Sequence, residues 1–579
     1  VAGYSAVSLA GVFVLFSRRK KYRTLKAGFV MLNLFLLLPF AGHVLNGFSY
    51  VSNRWIWAYG MLIAYIFVKI YPDLFTLTLK EKRRMFVISL VYCGLALFWN
   101  ASRTQRNLMA VLILSLSVFV ILTYGTVFVK KKNLTIMLSG LLIAGIGFNI
   151  YYQYSLEKDY LSEFAEQGEA MSKLEAGTDL AVLDAGDNSL YRYDQMDALS
   201  CENSSMHMGT NGTAYYFSVA SESIGRFFDE MYLNTPWEQH YENLDSRTIL
   251  DRLAAVKYFV VDKNGNRYLP YGFTEVKGES KKEKKEYKAY RNNTELPLGY
   301  TYDSYIPRSE YEKMSVTEKQ QVLLQGVVME DSSLPETEPV YNDKELSYRM
   351  IAGKGVKVKD GKITVTKENA TLKLVFHGLS DSETYLVTEN LNYDGLSPRE
   401  LISDKKWKKM TPYEQNQALY ENNNWRYWKE SQKASVKVSG NFPAKTIRIF
   451  TDKYNAYSGK HNFLCNTGYD KNNRTSIMLT FENTGVYTFD SIKVISQPVK
   501  ELDTQTEKLK QETLEDVKLV TNGLEGKISV SEPKVLLIAL PYSEGFKAYV
   551  DGKETELKEA DTMYMALELE PGEHEIRLT

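Results

Sequence analysis

The first 156 residues alternate between long uncharged stretches and short charged connections. The uncharged stretches cover residues 1–17, 27–53, 55–68, 85–102, 107–129 and 133–156. A helix needs about 20 mostly apolar residues to cross the hydrocarbon core of a bilayer. The third stretch is short, but it extends through Lys69 to about residue 79, where Lys69 and Asp73 are spaced to pair at i, i+4. The pattern predicts a polytopic membrane domain over residues 1–152 with six transmembrane helices.

The basic residues between these stretches indicate the orientation of the domain. Successive connections carry six, one, four, two and three Lys or Arg residues. Basic residues are enriched in the cytoplasmic loops of membrane proteins. The alternation therefore predicts that the first, third and fifth connections are cytoplasmic, and that the chain after residue 152 is extracellular.

Beyond residue 152 the pattern is that of exported folded domains. A helix is predicted at 157–176, and an α+β domain over 153–335. Its predicted elements are strands at 190–193 and 256–261, helices at 224–231 and 246–255, an exposed charged turn at 277–288, and a helix after residue 315. Ser315 and Glu318 have the spacing of a capping box at the start of that last helix.

From residue 340 onward, apolar and polar residues alternate with a period of two. Seven short strands between Gly and Asn turns predict a jelly-roll-like β-sandwich over 340–500. A helical connector is predicted at 501–520, and a small β-sandwich at 521–579. The helical insertion at 404–428 carries Trp407, Trp425 and Trp428. Such residues either stack on sugar rings or, more often, fill a local core.

Composition changes this picture only when the two parts are counted separately. The 579 residues include 70 basic and 70 acidic side chains, and the formal net charge is zero. Residues 1–152 hold 17 basic and two acidic side chains, whereas the rest of the chain holds 53 and 68. The basic residues lie between apolar runs rather than on one polar face, which argues against nucleic-acid binding. The asymmetry indicates two environments rather than one soluble globule.

Few residues suggest redox or metal chemistry. The three cysteines are too few for a disulfide framework, and no CxxC or Cys/His cluster suggests a metal site. The chain begins with Val inside an apolar stretch, so we expect it to be the C-terminal portion of a longer protein.

The predicted outer loop between the second and third stretches offers the candidate binding residues. Arg54 is the lone cation of this loop, and its planar guanidinium can bind a lipid phosphate through two hydrogen bonds. The residues that can line the same site are His43, Asn46, Tyr50 and Asn53. The competing interpretation makes Tyr50, Trp55 and Trp57 an aromatic belt at the membrane surface.

Four segments of the sequence form a recognisable set: LNGFSYVSNRW at 45–55, LAAVKYF at 253–259, LPLGYTY at 296–302 and LPYSEGFKAYVDG at 540–552. These segments resemble the bacterial YfhO family of multispan membrane proteins. The segments occur in the expected order over most of the chain. Phe546 stands where the family pattern has Trp.

The resemblance implies a truncated GT-C-like glycosyltransferase fold. Such an enzyme takes sugar from a polyprenyl-phosphate donor in the lipid bilayer and transfers it to an extracellular cell-envelope polymer such as teichoic acid. It implies a catalytic carboxylate in the first outer loop, before residue 1 of this chain, so that this portion alone would be inactive. No cofactor is certain, although the chemistry allows a divalent metal to assist the leaving phosphate.

Two other functions compete with the transferase. A non-catalytic membrane-anchored protein could display the outer domains to bind glycans or partner proteins, because those domains contain no evident catalytic set of residues. A transporter is disfavoured, since Lys69 and Asp73 are the only predicted charge pair in a span and are expected at the interface.

Overall fold

A computed structural model describes most of the chain. The described residues are 5–18, 20–48, 51–98, 105–124, 131–154, 167–168, 190–195, 203–208, 210–217, 219, 221–234, 240–262, 269–276, 287–427, 430–440, 444–454 and 457–579. The chain divides into two compact units, Val1–Gln167 and Gly168–Thr579. Of the predicted helix at 157–176, the structure describes residues 167 and 168, which lie in a turn; the rest of it and nearly all of the charged turn at 277–288 lie outside the described residues.

The described part of the first unit is helical. Its helices are α1 (Ala6–Ser17), α2 (Arg23–Leu37), α3 (Pro39–Val44), α4 (Ile56–Ile70), α5 (Leu79–Phe98), α6 (Gln105–Tyr124) and α7 (Lys131–Tyr154). Each uncharged stretch of the sequence therefore contains a helix. By length and composition, Ile56–Phe75 and Lys131–Tyr151 can cross a membrane, whereas Ala6–Ser17 and Leu108–Tyr124 are shorter apolar helices. The arrangement of six spans stays a prediction.

The second predicted span is broken near its middle. Leu38 has an extended backbone (φ −98°, ψ 112°) and is followed by Pro39, which starts α3. Proline disfavours the helical conformation in the residue before it. The stretch 27–53 therefore forms two helices, and the second of them already ends at Val44.

Apolar side chains cover both the inside and the outside of the first unit. Helix α1 is central and largely buried, and a Cβ at Gly11 would lie only 2.9 Å from Cδ2 of Phe67 on α4. The outward faces are also apolar, as at Leu95 on α5 and Ile143 on α7, which are 65% and 70% exposed. Such continuous apolar exposure is typical of a surface that contacts lipid or another protein.

The second unit contains eight helices among its described residues. They are α8 (Ser204–Met208), α9 (Glu222–Glu230), α10 (Thr248–Leu253), α11 (Arg308–Tyr311), α12 (Val316–Val322), α13 (Asp404–Trp407), α14 (Pro412–Tyr427) and α15 (Leu502–Leu509). The capping box predicted at Ser315 and Glu318 is confirmed, because each side chain accepts a hydrogen bond from the backbone N–H of the other residue.

Thirty strands accompany these helices in the described residues. They are β1 (Arg192–Gln195), β2 (Tyr215–Tyr216), β3 (His240–Tyr241), β4 (Val256–Asp262), β5 (Phe273–Glu275), β6 (Tyr287–Asn292), β7 (Gly299–Tyr302), β8 (Tyr305–Pro307), β9 (Val327–Met329), β10 (Lys344–Leu346), β11 (Tyr348–Ala352), β12 (Val356–Lys359), β13 (Lys362–Val365), β14 (Ala370–Phe376), β15 (Ser382–Glu389), β16 (Asn392–Gly395), β17 (Lys433–Ser439), β18 (Lys445–Phe450), β19 (Phe463–Asp470), β20 (Ser476–Phe481), β21 (Gly485–Thr488), β22 (Ser491–Pro498), β23 (Glu515–Val520), β24 (Gly523–Val530), β25 (Lys534–Pro541), β26 (Ala548–Val550), β27 (Lys553–Thr555), β28 (Lys558–Ala560), β29 (Tyr564–Leu569) and β30 (Gly572–Leu578).

The strand predicted at 256–261 is confirmed as β4, which pairs with β1 and β6 in a mixed sheet of order β1-β4-β6-β5. Farther along, sheets β10-β22-β15-β19 and β11-β14-β20-β17-β18 are antiparallel. They share one apolar core with the third sheet, β12-β13-β21-β16. All seven strands predicted between 362 and 495 are present.

Near the end of the chain, the structure differs from two of the predicted domain boundaries. Helix α15 ends at Leu509, and strand β23 replaces the second half of the predicted connector at 501–520. The reason is packing: a Cβ at Gly299 would lie 2.6 Å from Cβ of Leu514, so the chain after α15 lies directly on β7. Strand β7, from the predicted α+β domain, is itself an edge strand of the C-terminal sheet β28-β29-β25-β7.

A buried ion network joins the α+β segment to the sandwich. Arg247 is fully buried and donates to the carbonyl oxygens of Met231 (2.8 Å) and Leu464 (3.2 Å). Its Nε lies 3.2 Å from Oδ2 of Asp245, whose Oδ1 lies 2.5 Å from Nζ of Lys445. One carboxylate therefore compensates two largely buried cations.

We predict that Asp245→Asn lowers the unfolding free energy of the second unit by about 3–5 kcal/mol, because it removes the charge of the carboxylate that pairs with both Arg247 and Lys445. Asp245 has a left-handed backbone (φ 60°), which Asn also tolerates, so the change isolates the charge. The measurement is urea-dependent pulse proteolysis of the full chain in detergent. Glu310→Gln is the control, since it breaks the exposed pair with Lys313 and should change stability by less than about 1 kcal/mol. Equal effects of the two variants would contradict the prediction.

Candidate functional site

The loop between α3 and α4 is closed by backbone contacts. Gly47 and Phe48 have left-handed backbones (φ 68° and 60°), and the N–H of Phe48 donates to the carbonyl of His43 at 3.0 Å. The rings of His43 and Phe48 meet edge to face at 5.8 Å. The chain therefore reverses direction immediately after α3.

The far end of the loop returns to the same place. The N–H of Ser52 donates to the carbonyl of Gly42 at 3.4 Å. A Cβ at Gly42 would lie 3.3 Å from Oδ1 of Asn53, so the glycine permits this close approach. Asn53 is thereby brought beside the end of α3 that carries His43.

The candidate residues of this loop differ in their exposure to solvent. Asn53 and Arg54 are exposed, and His43 and Asn46 are half-buried. Tyr50 lies outside the described residues. The structure thus supports the proximity of His43 and Asn53, while the grouping of all five candidates stays a prediction.

Trp55 differs from its sequence interpretation as a belt residue. It is 92% buried and its ring meets Phe35 edge-on at 6.4 Å, whereas Trp57 is 66% exposed. Among the described residues, nothing accepts a hydrogen bond from its buried indole Nε1. A buried donor without an acceptor costs about 1–3 kcal/mol. Trp55 therefore packs in the apolar core at the start of α4, directly after Arg54 in the chain.

The opposite end of α4 carries an ion cluster instead. Lys21 Nζ lies 2.9 Å from Oδ1 of Asp73, and Arg18 Nε lies 3.4 Å from Oδ2 of Asp73 and 3.9 Å from Oε1 of Glu81. The predicted pair of Lys69 with Asp73 is therefore wrong. Helix α4 ends at Ile70 and a 3-10 turn containing Pro72 follows, which removes the i, i+4 geometry, and Lys69 instead lies over the Tyr65 ring.

Three of the charged connections meet at this end of the unit. Arg84, in the third connection, donates to the carbonyl of Ser17 beside the first at 3.1 Å. Lys131, at the start of α7, lies 5.6 Å above the ring of Phe75. The first, third and fifth connections thus lie at one end, and the loop after α3 lies at the other end of α4. Their common position agrees with the alternation of basic residues in the sequence.

In the second unit, Asp561 is a buried carboxyl with a raised pKa and a defined set of hydrogen-bond partners. It is fully buried; its Oδ1 accepts from the N–H of Val328 at 2.8 Å, and Oδ2 lies 3.4 Å from the hydroxyl of Tyr302. Burial raises the pKa of Asp561 to about 7. Asp561 and Thr562 both have left-handed backbones (φ 47° and 66°), which is a strained conformation for a β-branched residue.

Beside this turn, Arg308 holds Glu230 through both carboxylate oxygens, at 2.8 and 3.2 Å. Lys319 Nζ lies 3.3 Å from the same carboxylate. The single carboxylate of Glu230 pairs with both cations, so the cluster ties α9, α11 and α12 together. Among the described residues, no three His, Cys, Asp or Glu side chains lie close enough to hold a metal ion.

Comparison with known proteins gives one family and one curated relative. The family model described as bacterial membrane protein YfhO matches residues 3–579. The "Uncharacterized protein YfhO" of Bacillus subtilis (strain 168) is 22% identical over 603 residues, covering 99% of this chain. The chain spans 62% of the length of that relative.

Two solved structures of the arabinofuranosyltransferase AftD from Mycobacteria also align with the chain. One, a mutant form, covers 70% of this chain and 39% of its own, at 9% identity and a TM-score of 0.21. The other covers 86% and 55%, at 8% identity and a TM-score of 0.23. TM-scores of this size do not establish a common fold.

We predict that Asp561→Asn stabilises the second unit increasingly as pH rises. The folded pKa of about 7 exceeds the unfolded value of about 4. The parent is therefore most stable below pH 4 and loses stability as pH rises through 7. Between pH 5 and pH 8 the advantage of the variant should grow by about 3 kcal/mol.

The measurement is urea unfolding of the full chain, followed by hydrogen exchange in peptides from residues 556–579. Asn keeps an oxygen for the Val328 N–H and offers an N–H to Tyr302, so the hydrogen bonds are preserved. Asp360→Asn, at an exposed turn, is the control and should show no such growth. An advantage that is constant with pH would contradict the prediction.

Proposed function

The chain belongs to the YfhO family of bacterial membrane proteins, and we propose that the full-length protein is a glycosyltransferase of the cell envelope. The donor would be a sugar on polyprenyl phosphate, and the acceptor an extracellular polymer such as teichoic acid. The observation that carries the proposal is the closed loop at residues 42–55. In this loop Arg54 is exposed, and the N–H of Ser52 and the side chain of Asn53 lie against Gly42 at the end of α3.

The reaction needs three actions from the protein. A hydroxyl of the acceptor attacks the anomeric carbon of the donor sugar, a carboxylate takes its proton, and the bond from the sugar to the phosphate oxygen breaks. Arg54 would bind the phosphate and stabilise its developing charge. The group His43, Asn46, Tyr50 and Asn53 would bind sugar hydroxyls. The carboxylate base is not assigned to a residue of the described part of the chain.

The two ends of the first unit support an outward orientation of this site. The clustered basic connections suit the cytoplasmic face of a membrane. The loop at 42–55 lies at the other end of α4, where a lipid-linked donor and an extracellular polymer can meet. The multi-pass topology and the extracellular position of residues 153–579 are parts of the proposal.

A non-catalytic envelope protein is the second candidate. The observation that favours it concerns the buried carboxyls of the second unit. Asp561 accepts a hydrogen bond from the backbone, and Glu230 forms an ion pair with Arg308, so both contribute to the packing of the fold. Such a protein would bind glycans or partner proteins and transfer nothing. The two candidates predict different effects of a substitution at Arg54.

We predict that Arg54→Ala in the full-length protein lowers the incorporation of envelope sugar about a hundredfold or more, because it removes the contact to the leaving phosphate. Arg54→Lys should retain part of the activity, since it keeps the charge but not the two-pronged geometry. The measurement is sugar content of the wall and membrane polymers in cells that carry each variant as the sole copy.

Arg83→Ala is the matched control, because Arg83 is an exposed arginine at the other end of the unit. All three variants should reach the membrane in equal amounts. Normal incorporation with Arg54→Ala would remove Arg54 from the site. Normal incorporation in cells that lack the protein altogether would refute the transferase and leave the second candidate.

A further inference from the structure

The helical insertion α13–α14 is fixed to the sandwich by its tryptophans. The guanidinium of Arg399 lies 4.1 Å from the ring centre of Trp407. A Cβ at Gly395 would lie 2.8 Å from Cζ2 of Trp425, so the indole packs directly on strand β16. Of the three tryptophans of the insertion, these two fill local packing sites, and Trp428 lies outside the described residues.

The opposite face of α14 presents aromatic and amide side chains to solvent. Tyr413 and Tyr420 are 78% and 64% exposed. They are seven residues apart, so they lie on one face about 10 Å apart along the helix axis. The exposed residues between and after them include Asn416, Gln417 and Asn423. Large exposed aromatic rings on a surface helix are typical of a binding face rather than of a folding core.

Four lysines precede this face. Lys405, Lys406, Lys408 and Lys409 on and after α13 are all exposed, and Lys406 interacts electrostatically with Glu414 at the start of α14. The nearby Asp404 carboxylate lies 3.8 Å from Arg399. Residues 153–579 hold 53 basic and 68 acidic side chains, so four positive charges within five residues reverse the prevailing charge locally.

We propose that this surface, which comprises the four lysines together with Tyr413 and Tyr420, binds a polyanionic glycan. The ammonium groups would pair with phosphate or carboxylate groups along the polymer. The tyrosine rings would stack on the apolar C–H faces of sugar rings, and the amides would exchange hydrogen bonds with hydroxyls. The negative charge of the remaining unit would repel the same polymer, which confines it to this surface.

The composition of the face argues against a membrane surface as the ligand. An interfacial helix buries a continuous apolar face in the lipid. On α14, the exposed side chains beside Tyr413 and Tyr420 include Glu414 and Glu421 as well as the amides. Binding at this surface is separate from sugar transfer and does not depend on Arg54.

The test is direct binding of the full chain in detergent to immobilised glycans. The probes are polygalacturonate, which carries carboxylates, and phosphomannan, which carries phosphates. Changing the four lysines to Gln should weaken glycan binding about tenfold or more. A higher salt concentration should also weaken glycan binding by the parent protein. Tyr413→Ala with Tyr420→Ala should weaken binding to both glycans but not to polyphosphate, which has no sugar.

The matched control changes four exposed lysines of the β12–β14 region, Lys354, Lys357, Lys362 and Lys367, to Gln. It alters the net charge equally and should leave binding unchanged. Equal losses in both quadruple variants would overturn the proposal, as would the absence of binding to both glycans. Binding to phosphatidylserine vesicles but not to glycans would also overturn it, in favour of a membrane surface. Because no transfer is measured, these results are independent of the transferase proposal.

Discussion

The pairing of Asp73 with Lys21 and Arg18 is the interaction on which the arrangement of the first unit depends. Residues 1–152 contain only two acids, Asp73 and Glu81, and both lie close to Arg18. A charge is expensive inside the hydrocarbon core, so these groups favour the end of the helices, where they pair with one another. That location joins the end of α1 to the end of α4 and the start of α5. It fixes which ends of the helices lie together.

The candidate site follows from this constraint. Once the basic connections lie at one end, the loop closed between Gly42 and Asn53 lies at the other. There, Trp55 is held by the apolar core, while Arg54 beside it remains exposed. An exposed cation at this position suits a ligand that has an anionic group at the edge of the lipid.

The sequence pattern predicts helices and alternating strands well, and it fails where packing decides. It predicts all seven alternating strands of the sandwich, but it does not reveal β19, whose residues from Phe463 to Gly468 are buried on both faces and so do not alternate. Residue spacing suggests the pair of Lys69 and Asp73, but a proline turn redirects the carboxylate to Lys21. At the site, the lone cation is visible in the sequence, whereas the burial of Trp55 and the approach of Asn53 to Gly42 depend on the folded loop.

The most direct test of the account is the side of the membrane on which each end of α4 lies. Asn53→Cys and Lys80→Cys can be introduced separately into a full-length protein whose Cys93, Cys201 and Cys465 have been changed to Ala. Labelling of intact cells with a membrane-impermeant maleimide should modify the cysteine at position 53. The cysteine at position 80 should react only after the membrane is permeabilised. Labelling of position 80 in intact cells, with position 53 protected, would contradict an outward-facing site.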